Sequence, residues 1–220
     1  MDIRIITYNV HCFPWIATPI KEIVTWIVRN GDVAALQEVW YRHTEWAAAF
    51  AAHGWVFLKP AREAHFATVF GSGLALVMPG SWQVQDARFY PFLRSAGLDS
   101  LVVKGWFRVD LRDPRGRPLR IINTHMQANL DLVGLPDYTE RIRKAQARQI
   151  TDSVSDSMTI VVGDMNTGEN LFKDFNLIRG TELDHCAIPV GSPWSVKARV
   201  GSEADSWSDH LPVTFFLRRE

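Results

Sequence analysis

Short apolar runs of strand length recur along the chain, and several of them end in an acidic, amide or imidazole side chain. Residues 2–8 predict a strand that ends at Asn9, and the apolar run at residues 33–36 leads to Glu38. Segments with the pattern of helices lie between these runs. Buried strands that alternate with helices favour an α/β protein in which two sheets pack together and helices cover them.

Turn and capping signals set the expected element boundaries. Thr18 as an N-cap, with Pro19 at the first helical position, predicts a helix that Gly31 ends near residue 30. Residues 113–117 predict a hairpin turn. Further helices are expected at about 41–53 and 137–152, and strands at about 32–38, 55–59, 73–78, 83–89, 101–111, 118–124, 158–163, 183–188 and 211–217. No repeat or linker divides the chain, so the sequence predicts a single domain over residues 1–220.

The composition limits the location and the partners of the protein. Lys and Arg together number 24, as do Asp and Glu, so the formal net charge is zero and gives no general attraction to nucleic acid. The two cysteines, Cys12 and Cys186, do not suggest a disulfide framework. The sequence contains no signal-peptide pattern and no apolar stretch of membrane-spanning length. We therefore expect a cytoplasmic protein without a transmembrane segment.

Paired polar groups at two predicted strand ends indicate a site for a cation and a phosphate. Residues 162–166 place Asp164 close to Asn166, and residues 208–213 place Asp209 beside His210. Hard cations such as Mg²⁺ take oxygen ligands and keep waters and substrate phosphates in their remaining positions. Either pair alone also fits an ordinary turn or strand cap. Together with the other strand-end residues, the two pairs favour a functional site.

Glu38 is the first choice for a direct metal ligand. A carboxylate that emerges from a buried strand must be paired, metal-bound or protonated, although an exposed strand end is the alternative for Glu38. Asn9 can hold a metal-bound water or a ligand carboxylate, or it can cap its own strand. His125 ends another strand, where an N–H of its ring can donate a hydrogen bond to a phosphoryl oxygen, or it can serve as a structural imidazole.

His210 and Asp184 together suggest a general base. An imidazole works best as a base near neutral pH when a carboxylate orients it and stabilises its cationic form. Asp184 can do this for His210, because a nearby opposite charge raises the basicity of the ring. His185 follows Asp184 directly, so we expect it to point to the opposite face of the strand and leave it out of the site.

The ordered set of these residues resembles the endonuclease/exonuclease/phosphatase superfamily, which includes DNase I, abasic-site endonucleases, inositol polyphosphate 5-phosphatases and neutral sphingomyelinases. The motif residues are Asn9, Glu38, Ser72-Gly73, Asn123-Thr124-His125, Gly163-Asp164-Met165-Asn166, Leu183-Asp184 and Ser208-Asp209-His210. The resemblance implies a DNase I-like, four-layer α/β sandwich, with two packed mixed sheets flanked by helices. It also implies hydrolysis of a phosphoester by direct attack of water, with Mg²⁺ as cofactor and Mn²⁺ as its substitute.

The resemblance further implies a role for each residue of the site. Metal-site roles are implied for Glu38, Asn9 and Asp209. Catalytic roles are implied for His210, Asp184, Asp164, Asn166 and His125. Asp164 and Asn166 resemble the pair that positions the nucleophile and the phosphate. Both His210 and Asp164 remain candidates for the base, and we favour His210.

Three segments narrow the substrate of such an enzyme. Residues 97–105, residues 124–128 and the helical residues 143–146 are similar to neutral sphingomyelinases and bacterial sphingomyelinase C. This similarity favours a phospholipid over a nucleic acid as the phosphodiester substrate. A DNA or RNA nuclease and a non-catalytic binding module are the alternatives. Lys104 either contacts a lipid phosphate or pairs with Asp99.

Two aromatic segments, residues 13–16 and 89–93, are candidates for peripheral contact with a membrane. Aromatic side chains suit the interface between a membrane and water. The alternative is that they pack in the core or against loops.

Overall fold

Two sheets and three helices make up the computed structural model, which describes residues 2–61, 71–129, 136–202 and 207–219. The helices are α1 (Ile20–Asn30), α2 (His43–Ala51) and α3 (Pro136–Ser153), and a short 3₁₀ helix covers Gly97–Leu101. The strands are β1 (Ile3–Cys12), β2 (Val33–Val39), β3 (Trp55–Leu58), β4 (Ala75–Pro79), β5 (Gln83–Pro91), β6 (Gly105–Arg112), β7 (Pro118–His125), β8 (Thr159–Asp164), β9 (Phe175–Arg179), β10 (Asp184–Pro189), β11 (Trp194–Val200) and β12 (Val213–Arg219).

Each sheet has six strands and mixes parallel with antiparallel pairs. The first sheet has the order β11-β12-β1-β2-β4-β3, and the second has the order β5-β6-β7-β8-β10-β9. The parallel pairs are β1 with β2 and β7 with β8. Helix α1 connects the first of these pairs and α3 the second, as parallel strands require a crossover connection.

Three apolar clusters hold four layers together. The largest lies between the two sheets and includes Ile5 and Leu76 from the first sheet and Phe107 and Ile121 from the second. A second cluster packs α1 and α2 on the outer face of the first sheet. A third packs α3 on the outer face of the second sheet. The fold is therefore the α/β sandwich of two helix-covered sheets that the sequence predicted.

Buried amide groups join the two sheets near the ends of their central strands. Gln37 Nε2 donates to Asn123 Oδ1 at 2.7 Å, and Asn123 Nδ2 donates to the carbonyl oxygens of Leu36 and Ala75 at 2.9 Å. Gln37 and Asn123 are fully buried, so these bonds satisfy groups that would otherwise be costly to bury. These bonds fix the distance between the two sheets one residue before Glu38 in β2 and two residues before His125 in β7.

Most predicted elements are present, with small shifts at their ends. Helix α1 begins at Ile20, with Pro19 at the N-cap position and no capping hydrogen bond from a side chain, so Thr18 does not act as the predicted N-cap. The structure also contains β9 and β11, which the sequence pattern did not predict. Both are edge strands of their sheets.

The central strands of the second sheet approach each other closely at Gly163. Its φ is +150°, and a Cβ atom there would lie 1.9 Å from the carbonyl oxygen of Thr124, its partner across the β7–β8 pair. No side chain fits in this space. Gly163 therefore sets how close His125 and Asp164, the next pair along, can come.

We expect Gly163→Ala to destabilise the protein by about 3 kcal/mol or more, because the added methyl group must push two central strands apart. Gly116→Ala is the matched control. Gly116 also has positive φ (+77°), but its Cβ would meet nothing within 4 Å, so only about 1–2 kcal/mol of backbone strain applies. Urea unfolding of both variants tests this, and equal losses of stability would contradict it.

Candidate active site

Strand register brings three predicted site residues into one row at the end of the second sheet. His125 is paired with Asp164 across β7 and β8, and Asp164 is paired with Asp184 across β8 and β10. All three side chains are almost fully buried. Two neighbouring carboxylates in a buried row repel each other, so the row needs positive charge or protons nearby.

Asn9 connects this row to Glu38 in the first sheet. Asn9 Nδ2 donates to Glu38 Oε1 at 3.0 Å and to Asp164 Oδ2 at 3.1 Å. Asn9 Oδ1 accepts the backbone N–H of His11 at 3.2 Å. Since Nδ2 faces two carboxylates and Oδ1 faces an N–H, the amide orientation is chemically determined. In this arrangement Asn9 holds the two carboxylates in place and does not offer its oxygen to a cation.

His125 faces the same two carboxylates. Its Nε2 atom lies 3.5 Å from Asp164 Oδ2 and 3.8 Å from Glu38 Oε1. Burial, together with the positive charges of Lys104 and His210, holds the pKa of His125 well below its ordinary value. His125 is therefore a neutral imidazole at neutral pH, which suits a hydrogen-bond donor better than a counter-ion.

His210 contacts both buried aspartates. Its Nδ1 atom lies 2.8 Å from Asp184 Oδ2, and its Nε2 atom lies 3.6 Å from Asp164 Oδ2. An ionised carboxylate only accepts hydrogen bonds, so Nδ1 carries a proton and Nε2 is the nitrogen that can exchange one. Ser208 anchors this loop, because its Oγ donates to the carbonyl oxygen of Asn9 at 2.7 Å and accepts the N–H of His210 at 3.2 Å.

The surroundings raise the pKa of both His210 and Asp164. Burial disfavours the cationic form of His210, but the hydrogen bond with Asp184 and the negative charges of Asp184, Asp164 and Asp209 outweigh burial and raise its pKa to about 9. Burial, and next the charge of Asp184, raise the pKa of Asp164 above its ordinary value. Asp164 and His210 therefore both bind a proton more strongly than the same side chains do in water.

Strained backbone positions surround the site. Five residues other than glycine have positive φ in the described part of the chain, and three of them, His11 (44°), Glu38 (56°) and Asn166 (52°), lie at the site. Each such position costs about 1–3 kcal/mol and persists where the surroundings enforce it, which is common at functional sites. Asn166 is held by its N–H, which donates to Asp164 Oδ1 at 2.9 Å, and by its Nδ2, which donates to the carbonyl oxygen of Met126 at 3.1 Å.

Asp209 lies at the rim of the site. Its side chain is 60% exposed, and its Oδ1 lies 3.3 Å from His11 Nδ1. This exposure contrasts with that of Glu38, whose side chain is only 18% exposed. His185 faces away from His210, with its Nε2 atom 2.7 Å from the carbonyl oxygen of Thr167.

Two groups of side chains could hold a cation. Glu38 and Asp164 both accept hydrogen bonds from the amide of Asn9, and neither Asn9 nor neutral His125 compensates the charge of Glu38, so the chemistry of these carboxylates suits a hard cation. Asp164, Asp184 and His210 also offer ligand atoms within 4.8 Å of one another. In that second group the Nδ1 proton of His210 lies on Asp184 Oδ2, whereas Asp184 Oδ1 has no hydrogen-bond partner among the described residues. Both groups therefore offer carboxylate oxygens of the kind that a hard cation takes, and Asp164 belongs to both.

The segments that resemble sphingomyelinases form a buried polar network beside His125. Lys104 Nζ lies 3.3 Å from Asp99 Oδ1 and donates to the carbonyl oxygen of Met126 at 3.1 Å, so Lys104 pairs with Asp99. Gln127 Nε2 donates to Asp99 Oδ2, and Arg143 Nη1 donates to the carbonyl oxygen of Gln127. This network fixes the chain immediately after His125.

Comparison with known proteins identifies the fold. No protein-family model and no curated protein sequence matches the chain. A mutant of beta toxin from Staphylococcus aureus with bound magnesium ions has a TM-score of 0.81 at 15% identity, covering 98% of this chain and 99% of that chain. Sphingomyelinase C from Streptomyces griseocarneus has a TM-score of 0.71 at 17% identity, covering 98% and 99%. TDP2 from D. rerio, complexed with single-strand DNA product, has a TM-score of 0.72 at 13% identity, covering 99% of each chain. The chain therefore has the fold of these structures, the DNase I-like α/β sandwich that the sequence predicted.

We expect Asp184→Asn to lower the pKa of His210 from about 9 towards or below the ordinary 6.5, because it removes the charge next to Nδ1 and replaces the carboxylate acceptor with a neutral amide. NMR titration of the His210 ring in EDTA measures this. A raised pKa stabilises the folded state below about pH 6.5, and this stability is lost as the pH rises through about 9. Asp209→Asn is the control and should give a smaller fall, since Asp209 acts only through its charge. An equal fall in the pKa of His210 in the two variants would contradict the assignment of Asp184 as the hydrogen-bond partner of His210.

Proposed function

We propose that this protein is a divalent-metal-dependent phosphodiester hydrolase in which water attacks the phosphorus directly. The observation that carries the proposal is the convergence of Glu38, Asn9, Asp164, His125, Asp184 and His210 at one end of the sandwich. The same convergence argues against a non-catalytic binding module, since a module has no need for a buried, hydrogen-bonded base.

Glu38 and Asp164 would hold the cation, and the fit favours Mg²⁺, which prefers carboxylate oxygen. Bound there, it would supply Lewis-acid stabilisation of charge on the phosphoryl or leaving oxygen. Asn9 orients both carboxylates. Asp209 at the rim remains a proposed contributor to the metal site through water.

His210 is the proposed general base. Asp184 holds the Nδ1 proton, so Nε2 is the atom that takes a proton from the attacking water, in the deprotonated form of His210 whose fraction increases as the pH rises towards its pKa of about 9. Asp164 lies within reach of the same nitrogen and is the second candidate for this role. The hydrogen bond between His210 and Asp184 supports His210, because it both orients the ring and stabilises the imidazolium that forms.

Asn166 and neutral His125 are the proposed hydrogen-bond donors to the phosphoryl oxygens. Such bonds accelerate the reaction where they strengthen as charge builds on those oxygens. The strained backbone of Asn166 and the polar network behind His125 hold both donors in place before the substrate binds. A preorganised donor avoids the cost of reorganisation during the reaction.

A phospholipid is the proposed substrate, because large apolar side chains are exposed at the site's end of the sandwich. Strands β1 and β2 end at the site, and the connections that follow them expose Trp15 (73%) and Tyr41. Gly105 pairs with His125, so the β5–β6 connection lies at the same end and exposes Leu93 (85%) and Leu101. Aromatic and leucine side chains together suit the interface of a membrane.

A nuclease is the second candidate, because Phe13 and Trp15 stack with their ring centroids 5.2 Å apart and present a surface on which a nucleobase could also stack. Leucine side chains at the rim do not serve that purpose, which favours the lipid.

None of the helices in the described part of the chain has the length and apolar composition that a bilayer crossing requires.

Hydrolysis of sphingomyelin–detergent micelles and of single- and double-stranded DNA, each with Mg²⁺ and with EDTA, tests the proposal. We expect EDTA-sensitive release of phosphocholine with the DNA left intact. Cleaved DNA with untouched lipid would select the nuclease. Absence of metal-dependent hydrolysis of either substrate would reject the enzyme.

We expect Glu38→Gln to raise the Mg²⁺ concentration required for half-maximal activity, because it removes one of the two charges that attract the cation. His210→Ala should instead lower turnover by about a thousandfold or more, with an unchanged Mg²⁺ requirement and a folded protein. Metal titrations of turnover, with circular dichroism for folding, separate the two effects. An unchanged metal requirement in Glu38→Gln would count against Glu38 as a ligand.

For the membrane contact, we expect the double variant Trp15→Ala, Leu93→Ala to bind sphingomyelin vesicles about tenfold or more weakly, because two exposed apolar side chains are lost. The double variant Val84→Ala, Val190→Ala is the control, since these exposed residues lie at the opposite end of the sandwich. Vesicle sedimentation measures binding without catalysis. Equal binding by the two variants would exclude the rim as the membrane contact.

A further inference from the structure

The connection between β9 and β10 places a threonine hydroxyl against the partner of the proposed base. The N–H groups of Gly180 and Thr181 both donate to the carbonyl oxygen of Asp184 at 3.1 Å, which closes a tight turn. Within that turn, Thr181 Oγ1 accepts the N–H of Leu183 at 3.2 Å and the N–H of Asp184 at 2.9 Å. The hydroxyl oxygen is therefore fixed relative to the backbone that carries Asp184.

The direction of the Thr181 hydroxyl proton follows from these contacts. A hydroxyl has one proton to donate and two lone pairs that accept. Two backbone N–H groups already use the lone pairs, so the proton is left for Asp184 Oδ2, which lies 2.9 Å from Oγ1. Thr181 is thus held as a donor to the carboxylate.

Asp184 depends on this donor for its orientation. Its side chain is almost fully buried, and its Oδ1 atom has no hydrogen-bond partner among the described residues. Its Oδ2 atom has two donors, Thr181 Oγ1 and His210 Nδ1. Because His210 is the group that Asp184 must itself hold, Thr181 is the side chain that positions the carboxylate independently of the base.

We propose that Thr181 is a positioning residue for catalysis, the third member of a hydrogen-bonded relay Thr181–Asp184–His210. The inference rests on the proposed function, in which His210 is the base. Thr181 does not contact the reacting atoms. It acts by fixing Asp184 Oδ2 where that atom can hold the Nδ1 proton, and it shares the charge of a carboxylate that water does not reach.

The first test compares Thr181→Val, which keeps the shape and removes the hydroxyl, with Thr181→Ser, which keeps the hydroxyl. We expect kcat to fall about tenfold in Thr181→Val, with KM and the Mg²⁺ requirement unchanged, and to stay within about threefold of wild type in Thr181→Ser. Thr167→Val is the matched control. Thr167 Oγ1 accepts the N–H of Glu169 at 3.2 Å in a neighbouring turn, so this variant also loses a backbone contact but should retain kcat.

A double-mutant cycle separates positioning from simple loss of the turn. In an Asp184→Asn background, Thr181→Val should cause little further loss of kcat, because the carboxylate that it positions is already gone. A further tenfold loss in that background would overturn the proposal. Thermal unfolding of each variant shows whether the turn has lost stability.

A spectroscopic readout tests the relay without any reaction. In metal-free protein at low temperature, the His210 Nδ1 proton should give a low-field NMR signal in wild type and in Thr181→Ser. We expect this signal to move upfield or to be lost by exchange in Thr181→Val. An unchanged signal and an unchanged kcat in Thr181→Val would overturn the proposal. If wild type hydrolyses no phosphodiester, the proposed function fails and the NMR signal alone decides whether the relay exists.

Discussion

The close approach of β7 and β8 at Gly163 is the constraint on which the site depends. It allows the two strands to end in register, so that His125, Asp164 and Asp184 form one buried row. A row with two adjacent carboxylates is unfavourable in a protein interior. Apolar packing on both faces of the second sheet holds these strands in place against that repulsion.

The surrounding residues compensate for this charge in separate ways. His210 offers a proton that Asp184 and Asp164 stabilise, and Lys104 contributes positive charge from behind the row while it pairs with Asp99. Neither group neutralises Glu38, which the amide of Asn9 holds beside Asp164. The result is a local excess of negative charge at the open side of the site. That excess is the physical reason for expecting a cation there.

The sequence predicted the central strands well, because each is a buried apolar run that ends in a polar residue. It did not predict β9 and β11, and the reason lies in their positions. Each is an edge strand with one neighbour, and most of their residues are partly or fully exposed, so neither burial nor alternation leaves a clear pattern. The same limit applies in the site. Thr181 carries no signal in the sequence, because its role depends on turn geometry, whereas Asp184 and His210 stand at strand ends that the pattern marks.

The fold alone does not determine the substrate. Sphingomyelinase C and TDP2 complexed with single-strand DNA product resemble this chain almost equally well, with TM-scores of 0.71 and 0.72. The discriminating features must therefore lie in the connections at the site's end, which the sheets do not constrain. The described residues of those connections expose two aromatic and two leucine side chains, and the formal net charge of the whole chain is zero. A polyanion gains little from such a surface, since its binding depends on released counterions. An apolar interface gains from each of those side chains, and this difference is the reason for proposing a lipid substrate.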